Sequence, residues 1–118
     1  MRVVIIVVVM VAFVAVGGYL IFARGSGAKA QTLTINASVS GTTMTPSKIT
    51  VHDGDKVTMN VTVDKKEEIH LHGYNIPFEG SSAGDKVTHS FTADKTGSFE
   101  IEIEDTSTPV GSLEVLPR

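Results

Sequence analysis

Hydrophobic and polar residues alternate along most of the chain after residue 31. The clearest case is Phe99–Glu104, where three apolar side chains alternate with three glutamates. Val57–Val63 shows the same period, with valine and methionine at every second position. Because successive side chains of a β-strand point to opposite faces, this period predicts strands that bury one face and expose the other.

Turn-forming residues interrupt the alternation at regular intervals, as at Asp53-Gly54, in segment 80–85 and at 94–97. We predict seven strands, at 33–39, 49–52, 56–63, 68–74, 86–91, 97–104 and 111–116. No comparable helical period occurs in this part of the chain. Short strands at this spacing predict an all-β fold, an antiparallel Greek-key β-sandwich.

The first quarter of the chain has a different composition. Residues 3–22 form a run of 20 apolar or small residues between Arg2 and Arg24, and about 20 are enough for a transmembrane helix. We predict a membrane anchor or signal segment over 1–23, a flexible linker over 24–31 and one domain over 32–118. The alternative is cleavage at the A-x-A site Ala28–Ala30, before Gln31. We expect a single-pass, membrane-tethered extracytoplasmic domain, or a secreted or periplasmic one if cleavage occurs.

Charge and composition exclude several classes of function. Three of the ten basic residues precede residue 31, whereas all 13 acidic residues follow it, so the domain carries a net charge of −6. Such a domain has no basic surface for nucleic acid. The chain has no cysteine, which excludes disulfides, thiolate catalysis and cysteine metal ligands. It also lacks a phosphate-binding glycine motif and paired catalytic acids, so we predict that it is not an enzyme.

The candidate chemistry lies in the histidines. His70 and His72 are two residues apart in a predicted strand, so they share a face, about 7 Å apart along the backbone. Imidazole is a frequent ligand of copper and zinc. The pair can supply two nitrogens to one ion or one nitrogen to each of two ions. The alternative is that one histidine is hydrogen-bonded within the sandwich, the other is exposed, and no metal binds.

Other polar residues near the pair are less distinctive. His89 is a candidate third ligand, since it shares a face with Val87 and Phe91, although it is equally typical of a partly buried polar residue. His52 is expected to face solvent. Glu67 and Glu68 could orient an imidazole, but their position beside two lysines favours a solvated, charged turn. The glutamates at 100, 102 and 104 are expected to form the wet face of their strand.

Four segments resemble those of cupredoxins, the plastocyanin-like blue copper proteins. Pro46–Val57 is similar to the opening P-x-x-I-x-V-x-x-G-D-x-V motif, and Val63–His70 to the segment that supplies the first copper histidine. Phe91–Phe99 is similar to the F-x-A-x-x-x-G-x-Y turn, and Val110–Val115 to the closing strand. The resemblance covers most of residues 44–116 and implies a copper-binding sandwich.

The resemblance fails at the copper-binding loop. In the family pattern this loop carries a cysteine, a second histidine and usually a methionine. Here the corresponding positions fall on Ile103, near Thr106 and near Pro109. Only His70 of that ligand set remains, so blue-copper electron transfer is not expected.

A second resemblance covers the histidine pair itself. His70–Pro77 is similar to the H-x-H-G segment of the first domain of multicopper oxidases, in which both histidines contribute to a copper cluster. That cluster needs histidines from another domain, so oxidase activity is not implied. We expect a tethered domain that binds copper through His70 and His72, for storage, delivery or sensing. Zinc is the alternative metal. The alternative functions are a metal-free interaction module and an accessory domain of an exported metal-uptake system.

Overall fold

The structure, a computed structural model, describes residues 29–118. The predicted anchor or signal segment over 1–23 and most of the linker lie outside these residues. Nine strands and one short 3-10 helix, Glu104–Thr106, make up the domain. The strands are β1 (Thr32–Ser40), β2 (Thr43–Thr45), β3 (Lys48–His52), β4 (Lys56–Thr62), β5 (Glu67–Leu71), β6 (Ile76–Gly80), β7 (Lys86–Thr92), β8 (Gly97–Ile103) and β9 (Thr108–Leu116).

The strands form two sheets, which pack into a sandwich. One sheet has the order β2-β1-β4-β7 and the other the order β3-β9-β8-β5-β6. The described part of the chain is therefore an all-β sandwich, as predicted. Among residues 29–118, no helix is long and apolar enough to cross a membrane.

The prediction of purely antiparallel sheets is wrong. β1 pairs with β4, and β3 with β9, in parallel, whereas the other pairings are antiparallel. Between β1 and β4 the chain crosses to the other sheet to form β3, and it returns in the original direction. Alternation along a strand determines which face is buried, but it does not determine the neighbouring strand or its direction.

The sequence analysis did not predict two of the strands, β2 and β6. β2 is only three residues long, too short for alternation to be recognised. β6 contains Pro77, which cannot donate a ladder hydrogen bond and therefore argues against a central strand. β6 lies at the edge of its sheet, where a proline is tolerated.

The space between the sheets is filled by 18 buried hydrophobic side chains. Met59 and Ile101 are fully buried, and Ile103 is 6% exposed, so the predicted phase of β4 and β8 is confirmed. Asp55, one of two buried acidic residues in the described part of the chain, fixes the start of β4. Its carboxylate accepts hydrogen bonds of 2.9 Å from the N–H groups of Gln31 and His52. The largest fully buried side chains are those of Phe78, Met44, Met59, Ile69, Leu71, Ile101 and Leu113.

Candidate metal centre

β5 carries His70 on the outer face of the five-stranded sheet. Glu67, Ile69 and Leu71 are buried, whereas Glu68 and His70 are only half-buried. The strand ends at Leu71, earlier than the prediction of a strand through residue 74. The ladder nevertheless continues for one residue, because the N–H of His72 donates a 2.9 Å hydrogen bond to the carbonyl of Glu100.

The two imidazole rings stack. Their centroids are 4.8 Å apart and their planes differ by 26°. His72 lies in the turn that joins β5 to β6, yet its side chain remains on the same face as that of His70. Gly73 adopts a φ of +84° directly after it, a conformation that glycine reaches at little cost. The turn can therefore start without displacing His72 from the pair.

β8 brings carboxylates to the histidines. It pairs with β5 in antiparallel register, with His70 opposite Glu102. Oε1 of Glu102 is 3.3 Å from Nε2 of His72, and Oε1 of Glu104 is 3.3 Å from Nδ1 of His70. Glu68, on β5 itself, places Oε2 3.4 Å from the same Nδ1. Cross-strand diagonal neighbours lie within reach of long side chains. This explains the contacts of Glu102, on β8, and of Glu104, which follows β8 directly at the start of the 3-10 helix.

We call these five residues the His–Glu cluster: Glu68, His70, His72, Glu102 and Glu104. Nδ1 of His70 and Nε2 of His72 are shielded from solvent and have no hydrogen-bond partner among the described residues. The nearby carboxylate oxygens lie at ion-pair distance but form no hydrogen bond with these nitrogens. Buried polar atoms normally have partners, and leaving one unsatisfied costs about 1–3 kcal/mol. Two such nitrogens side by side therefore identify the cluster as a candidate ligand site.

Two three-residue sets in the cluster bring their donor atoms close enough to hold a metal ion. One is Glu68, His70 and Glu104, and the other is His72, Glu102 and Glu104. Within each set the donor atoms lie within 4.8 Å of one another. Imidazole nitrogen with carboxylate oxygen is a donor set suited to Cu(II) and Zn(II).

The structure does not bring His89 to this cluster. His89 lies on β7, in the other sheet, and its ring packs edge-on against Phe78 with centroids 5.1 Å apart. It belongs to neither three-residue set. His52 is exposed at the end of β3, as expected.

The loop that carries copper ligands in blue copper proteins has other residue types at the ligand positions here. Ile103, at the cysteine position implied by the resemblance, is a buried core residue. Thr106 and Pro109, near the positions of the other two ligands, are exposed. This end of the sandwich therefore contains an apolar side chain where a thiolate would be required.

Sequence reasoning underestimated the glutamates. Glu102 and Glu104 were expected only to face water, yet they lie against the histidines. The signal was the position of Glu102 on the strand adjacent to β5, and of Glu104 directly after that strand, which alternation alone does not reveal. Glu67 was expected in a solvated turn, and this is wrong, since it is 4% exposed. Burial, and then the neighbouring Asp64 carboxyl, raise the pKa of Glu67.

Compared by sequence, the chain matches no protein-family model and no curated protein. Compared by structure, it is similar to the metal-binding domain of a Cu(I)-exporting P-type ATPase from Streptococcus pneumoniae. The TM-score is 0.61 at 16% identity, over 78% of this chain and 99% of that one. Auracyanin A, a blue copper protein from Chloroflexus aurantiacus, superposes with a TM-score of 0.56 at 14% identity, over 71% and 98% of the two chains.

The domain has the cupredoxin fold. A multicopper oxidase also contains it, with a TM-score of 0.57 and 22% identity over 75% of this chain. The present chain spans 40% of that oxidase. At these identities the likeness establishes the fold alone. Because the chain has no cysteine, this domain of cupredoxin fold has no residue that could supply the thiolate ligand of a blue copper site.

Proposed function

We propose that this protein is a membrane-tethered, extracytoplasmic cupredoxin domain that binds copper through His70 and His72 for storage, delivery or sensing. The observation that carries the proposal is the pair of solvent-shielded ring nitrogens, which have no hydrogen-bond partner among the described residues and face carboxylate oxygens. The apolar run at residues 3–22 supports the tether. In this proposal the tether holds the domain outside the cytoplasm.

The nitrogen–oxygen distances are compatible with metal ligation. A metal holds imidazole nitrogen and carboxylate oxygen at about 2.0–2.2 Å. Two donors at that distance, separated by a tetrahedral angle, are about 3.4 Å apart. The observed separations are 3.3 and 3.4 Å. They are longer than a charge-assisted hydrogen bond, which is typically about 2.7–2.9 Å.

The fold neighbours support copper as the metal. The S. pneumoniae domain was solved with Cu(I), and another neighbour, with a TM-score of 0.59 at 17% identity, is described as a copper-binding protein in the apo form. Imidazole nitrogen binds copper(II) more strongly than the other common divalent first-row ions. Without a thiolate, the Cu(II) form should show only weak absorption, with no intense band near about 600 nm.

The test is a copper titration of the full chain, purified in a mild detergent and stripped of metal. Wild type should retain copper after desalting. His70→Ala and His72→Ala should each reduce the bound copper, and the double variant should abolish specific binding. His52→Ala is the matched control, because His52 is exposed on β3 and outside the cluster, and it should bind like wild type.

Two results would contradict the proposal. If wild type retains no more copper or zinc than the double variant, the domain is a metal-free interaction module or an accessory domain of a larger uptake system. An intense absorption band near about 600 nm would contradict the ligand set, because it requires a thiolate.

A further inference from the structure

Glu104 belongs to both three-residue sets of the His–Glu cluster. Each set contains one histidine, one glutamate of its own and Glu104. The first set is completed by Glu68 and His70, and the second by His72 and Glu102. A carboxylate has two oxygens, so one glutamate can bind two ions at once.

The stacking of the imidazoles argues against a single shared ion. A metal bound to a ring nitrogen lies in the plane of that ring, about 2 Å from the nitrogen. The two planes differ by only 26°, and the ring centroids are 4.8 Å apart. An ion held in the plane of one ring therefore lies well outside the plane of the other. Each histidine is oriented to bind its own ion.

We propose that the cluster binds two adjacent divalent ions, with Glu104 as the ligand that they share. This inference rests on the proposed function and specifies the number and charge of the ions. Proteins that bind two metal ions in one site hold them about 3.5–4 Å apart, which is compatible with two rings stacked at 4.8 Å. Three carboxylates offset most of the charge of two divalent ions.

The donor atoms select the oxidised form of copper. Three of the five side chains of the cluster offer carboxylate oxygen, which suits divalent ions, whereas Cu(I) prefers sulfur ligands. The chain has no cysteine. Met44 and Met59 are buried in the core between the sheets, at 1% and 0% exposure, away from the outer face that carries the cluster. Cu(II) should therefore bind more tightly than Cu(I).

The number of Cu(II) ions bound per chain tests the inference. The measurement uses the full chain in mild detergent. Native mass spectrometry of wild type should show two ions per chain. Electron paramagnetic resonance should show less signal than the bound copper would give as isolated ions, because adjacent Cu(II) centres couple magnetically. His70→Ala and His72→Ala should each retain one ion with a full-intensity signal, since each leaves one set with its histidine.

Glu104→Gln keeps the shape of the side chain but removes its charge. It should weaken binding of the second ion by at least about tenfold and restore the full signal of the first. Glu100→Gln is the matched control: Glu100 lies on β8, four positions before Glu104, is exposed and belongs to neither set, so two coupled ions should remain.

One ion at saturation in wild type, lost completely in either histidine variant, would overturn the two-ion inference and leave the proposed function intact. No specific binding in wild type would overturn both. Unchanged stoichiometry and coupling in Glu104→Gln would show that Glu104 is not the shared ligand. Equal affinity for Cu(I) under anaerobic, reducing conditions would contradict the selection of divalent ions.

Discussion

The carboxylate of Asp55 forms an ion pair with the guanidinium of Arg118, the last residue of the chain. The Asp55 side chain is 3% exposed, whereas that of Arg118 is 22% exposed. Nε of Arg118 also donates to the carbonyl of Asp53, and Nη1 to the carbonyl of Lys29, both at 2.9 Å. These contacts tie both ends of the described chain to the turn between β3 and β4.

Asp55→Ala should destabilise the domain by about 2–4 kcal/mol. The change breaks a largely buried ion pair and leaves the N–H groups of Gln31 and His52 without their acceptor. Urea unfolding followed by circular dichroism measures the loss. Arg118→Ala should cost less, because Asp55 keeps both backbone donors. An equal loss for the two variants would contradict the central role of the carboxylate.

Ile103→Ala should cost about 2–5 kcal/mol, the usual range for truncating a buried isoleucine. The control is Glu100→Ala, an exposed change on the same strand, with an expected effect within about 0.5 kcal/mol. Chemical unfolding of both variants measures the difference. Similar losses would mean that the buried face of β8 has been assigned incorrectly.

Gly73→Ala should be more destabilising than Gly84→Ala. Both glycines have positive φ, +84° and +90°, so alanine introduces backbone strain at each, about 1–2 kcal/mol. A Cβ on Gly73 would also overlap the ring of Phe99, whereas one on Gly84 would meet nothing within 4 Å. Both variants introduce backbone strain, but only Gly73→Ala introduces the overlap with Phe99. The difference between their melting temperatures therefore measures the effect of the overlap. Equal melting temperatures would show that Phe99 moves aside freely.

Asp85 should make stability depend on pH at the acidic end. Hydrogen bonds from the N–H groups of Ser81 and Ser82 lower the pKa of its carboxyl below 3.8. The stabilisation is therefore complete above the unfolded pKa and is lost as pH falls through the lower, folded pKa.

Asp85→Ala should accordingly be less stable than wild type at neutral pH, and the gap should close at strongly acidic pH. Unfolding curves over a pH series measure this. Asp94→Ala is the control, because Asp94 is an exposed carboxylate 3.8 Å from Lys95. A constant gap between Asp85→Ala and wild type at every pH would rule out the charged carboxylate as its cause.

A fragment of residues 29–118 should fold without metal. Its 18 buried hydrophobic side chains provide a core, unlike small zinc domains whose folding depends on ligation. The fragment should melt cooperatively in EDTA, and Cu(II) should raise the melting temperature by binding the folded state. Calorimetry checks both expectations. A featureless trace in EDTA would mean that the core alone is insufficient.

Local sequence patterns determined seven of the nine strands and the buried faces of β4 and β8. The alternation at Phe99–Glu104 was enough to place Ile101 and Ile103 in the core, because side chains of a strand alternate between faces whatever the neighbouring strand. The same rule placed His70 and His72 on one face. The turn-forming pair Asp53-Gly54 located the turn between β3 and β4, where glycine adopts a φ of +93°.

Tertiary structure decided which strands are neighbours and in which direction they run. The parallel pairing of β1 with β4, the burial of Glu67 and the separation of His89 from the histidine pair all depend on contacts between distant segments. Glu104 and His70 are 34 positions apart in the sequence, and only the pairing of β5 with β8 brings them within 3.3 Å. A period of two assigns a residue to a face of its own strand, but it carries no information about the strand alongside.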